Sequence, residues 1–167
     1  PIRSVEKNTT LLSEGDVSTS FFFLIEGYVR MYYLVDGVEK TTFFYEQDQF
    51  ISSYESFIRQ SPARHYIQTL SKVKIATFHL SKVNEILQKF PHFDFLARLI
   101  MEEEMGVLQD MIASFVTMNA EQRYQKLVNT KPHLLQQVPQ YHIATYLGVS
   151  PETLSRIRSR LSGKGIY

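Results

Sequence analysis

The sequence predicts an α+β chain: an antiparallel β-domain through about residue 80, a long helix, and a C-terminal helix-turn-helix. Three observations carry this. Short β-branched and aromatic runs alternate with turn signals in the N-terminal half. A 4,3 apolar repeat runs from Phe93 to Met118. Residues 140–160, QYHIATYLGVSPETLSRIRSR, set small and apolar side chains where two short, steeply crossing helices must touch.

Taken in order, the strand-like runs are TTLL, FFFLIEGYVRMYYLV, KTTFFY and EQDQF, separated by EGD and DGVE. Asp36-Gly37 between two such runs is a strong hairpin signal, because both turn positions need positive φ. After Pro62, RHYIQTL and KVKIATFHL read as two further strands, and the spacing suits a barrel, roll or jelly roll. SKVNEILQKF (81–90) reads as a short helix ended by Pro91. In the long helix, Phe93, Ala97, Ile100, Glu104, Val107, Met111, Ser114 and Met118 form one row, interrupted at Glu104 and Ser114. Met101, Met105, Leu108, Ile112 and Phe115 form a second. One row is expected to pack on the chain's own β-domain and the other on a partner helix. The alternative is a helix buried wholly in its own subunit. Thr117 to Ala120 is the expected hinge.

In the last segment, Ile143, Ala144 and Leu147 are expected on the inner face of the first short helix, opposed by Val149, Leu154 and Ile157. Gly148 sits where the turn requires positive φ. Ser150 suits the N-cap and Pro151 the first helical position, and Glu152 lies where the helix dipole favours an anion. The outward side of the second helix carries Glu152, Thr153, Ser155, Arg156, Arg158 and Arg160, types that suit base edges and phosphates. A solvated helical hairpin in an all-α domain is the plainer alternative.

Composition narrows the class. The chain has 167 residues, 44% of them hydrophobic, and no cysteine, which excludes disulfides, thiolate metal sites and cysteine-held iron–sulfur clusters. No apolar run reaches the roughly 18 residues of a membrane span, and nothing resembles a signal peptide, so a soluble cytoplasmic protein with no membrane partner is expected. The net charge of +1 hides an asymmetry. Residues 1–119 carry 11 Lys/Arg against 15 Asp/Glu, and residues 120–167 carry 7 against 2. The basic end holds the helix-turn-helix pattern, as binding to a polyanion requires.

The order of parts resembles the CRP/FNR family of bacterial transcription regulators over nearly the whole chain. In the β-domain the resemblance rests on Glu14-Gly15-Asp16, on Phe23-Leu24-Ile25-Glu26-Gly27-Tyr28-Val29-Arg30 and on Asp36-Gly37. In the C-terminal part it rests on Glu152-Thr153-Leu154-Ser155-Arg156, which looks like the E-x-x-S-R recognition-helix pattern of the FNR branch. The resemblance implies a cyclic nucleotide-binding-like β-roll (a double-stranded β-helix) over 1–90, a dimerisation helix over 91–118 and a winged helix-turn-helix over 119–167. It implies that Glu152, Ser155 and Arg156 read bases in the major groove. Thr153, Arg158, Arg160 and Lys164 would hold phosphates, which positions without specifying. It also implies double-stranded DNA as partner, and a homodimer through the 93–118 helix with recognition helices roughly 34 Å apart on a palindrome. RNA polymerase is a further partner it admits. Pro1 opens the chain without a methionine, and Gly163 to Tyr167 resemble the exit toward a wing strand, so a longer natural protein is expected.

The effector pocket departs from the family pattern. Nucleotide-binding members have a glycine-glutamate pair opening a short helix and an arginine before the next strand. Here the matching stretch is Phe50-Ile51-Ser52-Ser53-Tyr54-Glu55-Ser56-Phe57, with serines at both places. Ala63 holds the arginine position and Arg64 follows it, an offset that turns a strand side chain to the other face. Ser52, Ser53 and Arg64 are the pocket candidates, unless the serines merely cap the helix and Arg64 is solvated. Cyclic AMP is not expected in the family's usual mode, another small effector stays open, and no cofactor is assigned.

Two other functions compete. A cupin-like enzyme would need clustered metal ligands, whereas His65, His79, His92, His133 and His142 are scattered. There is also no G-x-S-x-G, no phosphate-binding glycine loop and no nucleophilic cysteine, so an enzyme is not expected. A small-molecule sensor acting through protein partners would use the 22 Phe and Tyr as an interaction surface, although such residues more often fill β-domain cores.

Overall fold

The computed structural model describes residues 1–163. The β-part is two antiparallel four-stranded sheets. One holds, in spatial order, β1 (Ile2–Val5), β8 (Val73–His79), β3 (Ser20–Glu26) and β6 (Gln49–Ile51). The other holds β2 (Thr10–Leu12), β7 (Tyr66–Thr69), β4 (Val29–Val35) and β5 (Val38–Tyr45). This is the expected β-roll. Period-two alternation builds its core: Phe22 and Leu24 of β3 are buried, while Phe21 and Phe23 stand on the outer face. Leu12, Val29, Ile51, Ile67, Val73 and Ile75 close the same cluster from both sheets.

Backbone geometry explains the turns. Asp36 and Gly37 both have positive φ (51° and 76°), so the two-residue loop matches the twist of β4 and β5, which pair from Val35↔Val38 onward. Gly27 has φ 98°, and a Cβ there would come within 2.7 Å of the Lys72 carbonyl oxygen. Only glycine fits the β3–β4 turn.

Seven helices accompany the strands among the described residues: α1 (Tyr54–Arg59), α2 (Leu80–Lys89), α3 (His92–Thr117), α4 (Ala120–Thr130), α5 (Pro132–Gln137), α6 (Gln140–Tyr146) and α7 (Pro151–Ser162). Strand β1 and helices α4 and α5 were not expected from sequence. Helix α3 gives way to α4 within the stretch expected as a hinge, at an Asn119–Gln122 capping box.

The two apolar rows of α3 differ. In the first, Ile100, Glu104, Met111 and Met118 are half-buried and Ser114 is buried. Phe93, Ala97 and Val107 remain exposed, so that row packs inward only in part. The second row, Met101, Met105, Leu108, Ile112 and Phe115, stays 40–61% exposed. Burial of α3 wholly within its own chain is thereby excluded.

A second core joins the C-terminal helices to the roll. Tyr124, Leu127, Leu134, Val138, Ile143, Ala144, Leu147, Leu154, Ile157 and Leu161 cluster with Phe44 and Leu70 of the roll. The expected wing strand and Lys164 lie outside the described residues. Among the described residues, no helix is long and apolar enough to cross a membrane.

Candidate nucleic-acid interface

Helices α6 and α7 form the expected helix-turn-helix. Ile143, Ala144 and Leu147 are at most 1% exposed, Leu154 is equally buried, Ile157 is 5% exposed, and Val149 packs at the edge. The turn is a Schellman motif: Val149 N–H donates to the Ala144 carbonyl (3.0 Å) and Gly148 N–H to that of Thr145 (3.1 Å), with Gly148 at φ 71°. An alanine there would take up a strained left-handed backbone. Ser150 caps α7, its Oγ accepting from the Thr153 N–H at 3.2 Å, and Pro151 follows at the first position.

The inner face of α7 is consumed by packing, which leaves its polar face free. Glu152, Thr153, Ser155, Arg156, Arg158 and Arg160 are all exposed. Glu152, Ser155 and Arg156 follow the i, i+3, i+4 spacing of one helical face. The helix N-terminus, the Ser150 hydroxyl and Arg156 together hold the Glu152 carboxyl below its ordinary range. Arg156 and Arg158 enter no ion pair among the described residues. Two residues are partly engaged. The Thr153 hydroxyl lies 3.2 Å from Ser150 Oγ, and Arg160 Nη1 donates to Glu121 Oε2 at 2.7 Å.

Sequence reasoning passed over Arg123. From α4 its Nη1 donates to the Met118 carbonyl (2.6 Å) and its Nη2 to the Leu147 carbonyl (2.9 Å), while the guanidinium lies 4.8 Å from the Phe115 ring centre. One side chain thus closes the exposed C-terminal carbonyls of two helices and locks the turn to the end of α3. No local pattern announces it, because its partners are five residues before it and 24 after.

The candidate effector cavity sits in the roll and measures about 340 Å³. Ser52 and Ser53 line it, with Ser18, Thr19, Ser20 and Asp16 as further polar groups and Leu12, Phe22 and Ile67 as apolar ones. Arg64 is not brought to them, which corrects the expectation that grouped the three. Ala63 points into the core, whereas Arg64 points out, 76% exposed and donating to Glu55 at 2.6 Å. Both residues lie ahead of β7, in the loop between the Val17–Pro62 bridge and Tyr66, and the loop sends them to opposite sides. No lysine, arginine or histidine lines the cavity among the described residues, so its residues do not fit a phosphate. Ser53 occupies the N-cap position of α1 without a side-chain cap bond.

The family model for the cyclic nucleotide-binding domain matches residues 2–90. The chain is 24% identical over 183 residues to the fumarate and nitrate reduction regulatory protein of Yersinia pestis, covering 99% of this chain and 72% of that protein. It is 23% identical over 176 residues to the anaerobic regulatory protein of Aggregatibacter actinomycetemcomitans, covering 98% and 68%. Its fold matches that of FixK2 from Bradyrhizobium japonicum with a TM-score of 0.84 at 18% identity, over 99% of this chain and 86% of that one. With a β-roll that the domain model covers and regulators as relatives along the whole chain, this protein belongs to the CRP/FNR family of transcription regulators.

Proposed function

We propose that this regulator binds DNA sequence-specifically, as a homodimer on a palindromic operator. The observation that carries this is α7. Its apolar side is buried, its polar side is open, and Arg156 and Arg158 on that side enter no ion pair among the described residues. Glu152, Ser155 and Arg156 read bases: arginine donates twice to guanine, glutamate accepts from cytosine, and serine adapts to either. Thr153, Arg158 and Arg160 hold phosphates, Arg160 after exchanging Glu121 for the backbone. The exposed row from Met101 to Phe115 has the 4,3 spacing of a two-helix seam and is the dimer contact. This divides the chain into an N-terminal sensor (1–90), a dimerisation helix (91–118) and a DNA-binding unit (119–167). It works in the cytoplasm without catalysing a reaction, and RNA polymerase is the partner an activator of this kind would meet.

The cavity takes an uncharged small effector rather than cyclic AMP, since a buried phosphate needs charge-assisted bonds to offset its desolvation. Selection of duplexes from a random pool by the purified dimer tests the main proposal. Enrichment of a two-fold symmetric sequence is the expected result. Indifference to every duplex would leave a sensor that acts through protein partners instead.

A further inference from the structure

One charged group is buried where the roll meets the helix-turn-helix, and neither DNA contact nor the cavity uses it. Strand β4 lies between β7 and β5. Val29 fills the roll's core, so the next residue, Arg30, leaves the opposite face of the sheet. There its side chain is only 2% exposed. The guanidinium donates from Nη1 to His142 Nδ1 on α6 (2.6 Å). It donates from Nε and Nη2 to Gln68 Oε1 on β7 (3.1 and 2.7 Å), and from Nη2 to Glu39 Oε2 on β5 (2.6 Å). Its carbon lies 3.9 Å from the Tyr32 ring centre.

Guanidinium only donates, so His142 Nδ1 accepts and its ring is neutral with the proton on Nε2. Burial first, and Arg30 second, push the His142 pKa down to about 3. The rest of the α6 seat is apolar packing of Ile143, Ala144 and Leu147 in the core that includes Phe44 and Leu70. A Phe44–Tyr146 ring contact at 5.0 Å and a 3.3 Å bond from Thr41 N–H to Thr145 Oγ1 complete it, so Arg30 supplies the charged contact in it. On β7, Gln68 faces Arg30 while its neighbour Ile67 lines the cavity. The same arginine therefore grips the helix-turn-helix and the strand that backs the cavity.

We propose that Arg30 tethers the helix-turn-helix to the β-roll and, through Gln68, makes the seating of α6 depend on strand β7. The tether is measurable without DNA, so it stands or falls separately from the DNA-binding proposal.

Hydrogen exchange resolved along the full chain is the test. In His142→Leu a buried donor loses its acceptor. The amides of Ile143 to Tyr146 should exchange about tenfold faster or more, while those of β3 and β8 keep their protection. Arg30→Lys retains the charge but cannot reach three partners at once, and should behave alike. Gln68→Ala should speed the same α6 amides by a smaller factor. Combined with His142→Leu it should add nothing, since both act through one guanidinium. Unchanged α6 exchange in His142→Leu would overturn the tether, and so would loss of protection throughout the roll, which would make the contact a determinant of the fold. Unchanged exchange in Gln68→Ala, or additive effects in the pair, would overturn the link to β7.

Discussion

The outer face of α7 and the cavity in the β-roll are built on the same plan, polar groups over an apolar floor, yet they treat charge in opposite ways. On α7, Arg156 and Arg158 are held out by a buried inner face and enter no ion pair among the described residues. At the cavity the nearest arginine in sequence, Arg64, turns away and is spent on Glu55. Both folds are intact, so residue orientation rather than stability decides which region can meet an anion. The outer face of α7 keeps cations available, and the lining of the cavity does not.

The largest effect that separates the two regions should come from the floor beneath α7. Leu154 is 1% exposed among Ile143, Leu147 and Leu161. Leu154→Ala should cost about 2–5 kcal/mol in the C-terminal helices through lost burial and a cavity. Chemical denaturation followed by residue-resolved exchange should show that loss beside unchanged protection in β3 and β8. Equal loss in both regions would mean that the two cores unfold as one.

Arg156→Ala leaves the floor untouched and removes a side chain argued to read a base. On the selected operator it should weaken binding by about 1–3 kcal/mol and relax preference at one base pair per half-site. Gel shifts with operators varied one pair at a time measure both. A uniform loss on every sequence would move Arg156 to the phosphate-binding group.

A smaller effect sharpens the difference between free and engaged cations. Arg158→Ala should weaken specific and random duplexes alike and reduce the salt slope by about 1. Arg160→Ala should do less, because Arg160 must first leave Glu121, 2.7 Å away. Binding isotherms across a salt series rank the two. An equal or larger slope change for Arg160 would show that its ion pair with Glu121 is no obstacle.

What sequence revealed of these regions follows from how local each cause is. The Asp36-Gly37 hairpin, the Schellman turn at Gly148, the Ser150 cap and the buried stripe of α7 all arise from neighbours within a few residues, and all were legible. So was the offset between Ala63 and Arg64, although the turn away from the cavity happens in the loop before β7 and not in a strand. Contacts that tie the parts together were not. Arg30 meets His142 across 112 residues, Arg123 meets Leu147 across 24, and Arg160 meets Glu121 across 39. A lone arginine in a strand, or at the start of a helix, gives no period from which a distant partner can be inferred. Helices α4 and α5 were missed for a related reason. Each contributes few buried residues, Tyr124 and Leu127 from one and Leu134 from the other, too sparse a stripe to mark a helix before its neighbours are known.

The smallest predicted effect is none at all, and it bears directly on the contrast in charge. Cyclic AMP carries one phosphate charge, and a cavity that closes over it must replace water with donors that are themselves charged. The cavity offers hydroxyls from Ser18, Ser20, Ser52 and Ser53 and a carboxylate from Asp16. Hydroxyls return only part of what the phosphate loses, and a carboxylate repels it. Isothermal calorimetry of the intact protein should accordingly show no saturable heat with cyclic AMP at micromolar concentrations. An adenosine analogue without the phosphate should bind no worse than cyclic AMP does. Micromolar saturation by cyclic AMP, lost in Arg64→Ala, would mean that Arg64 abandons Glu55 and swings inward on binding. The roll would then hold its cation in reserve, and the opposition between the two regions would reduce to a difference in when each arginine is released.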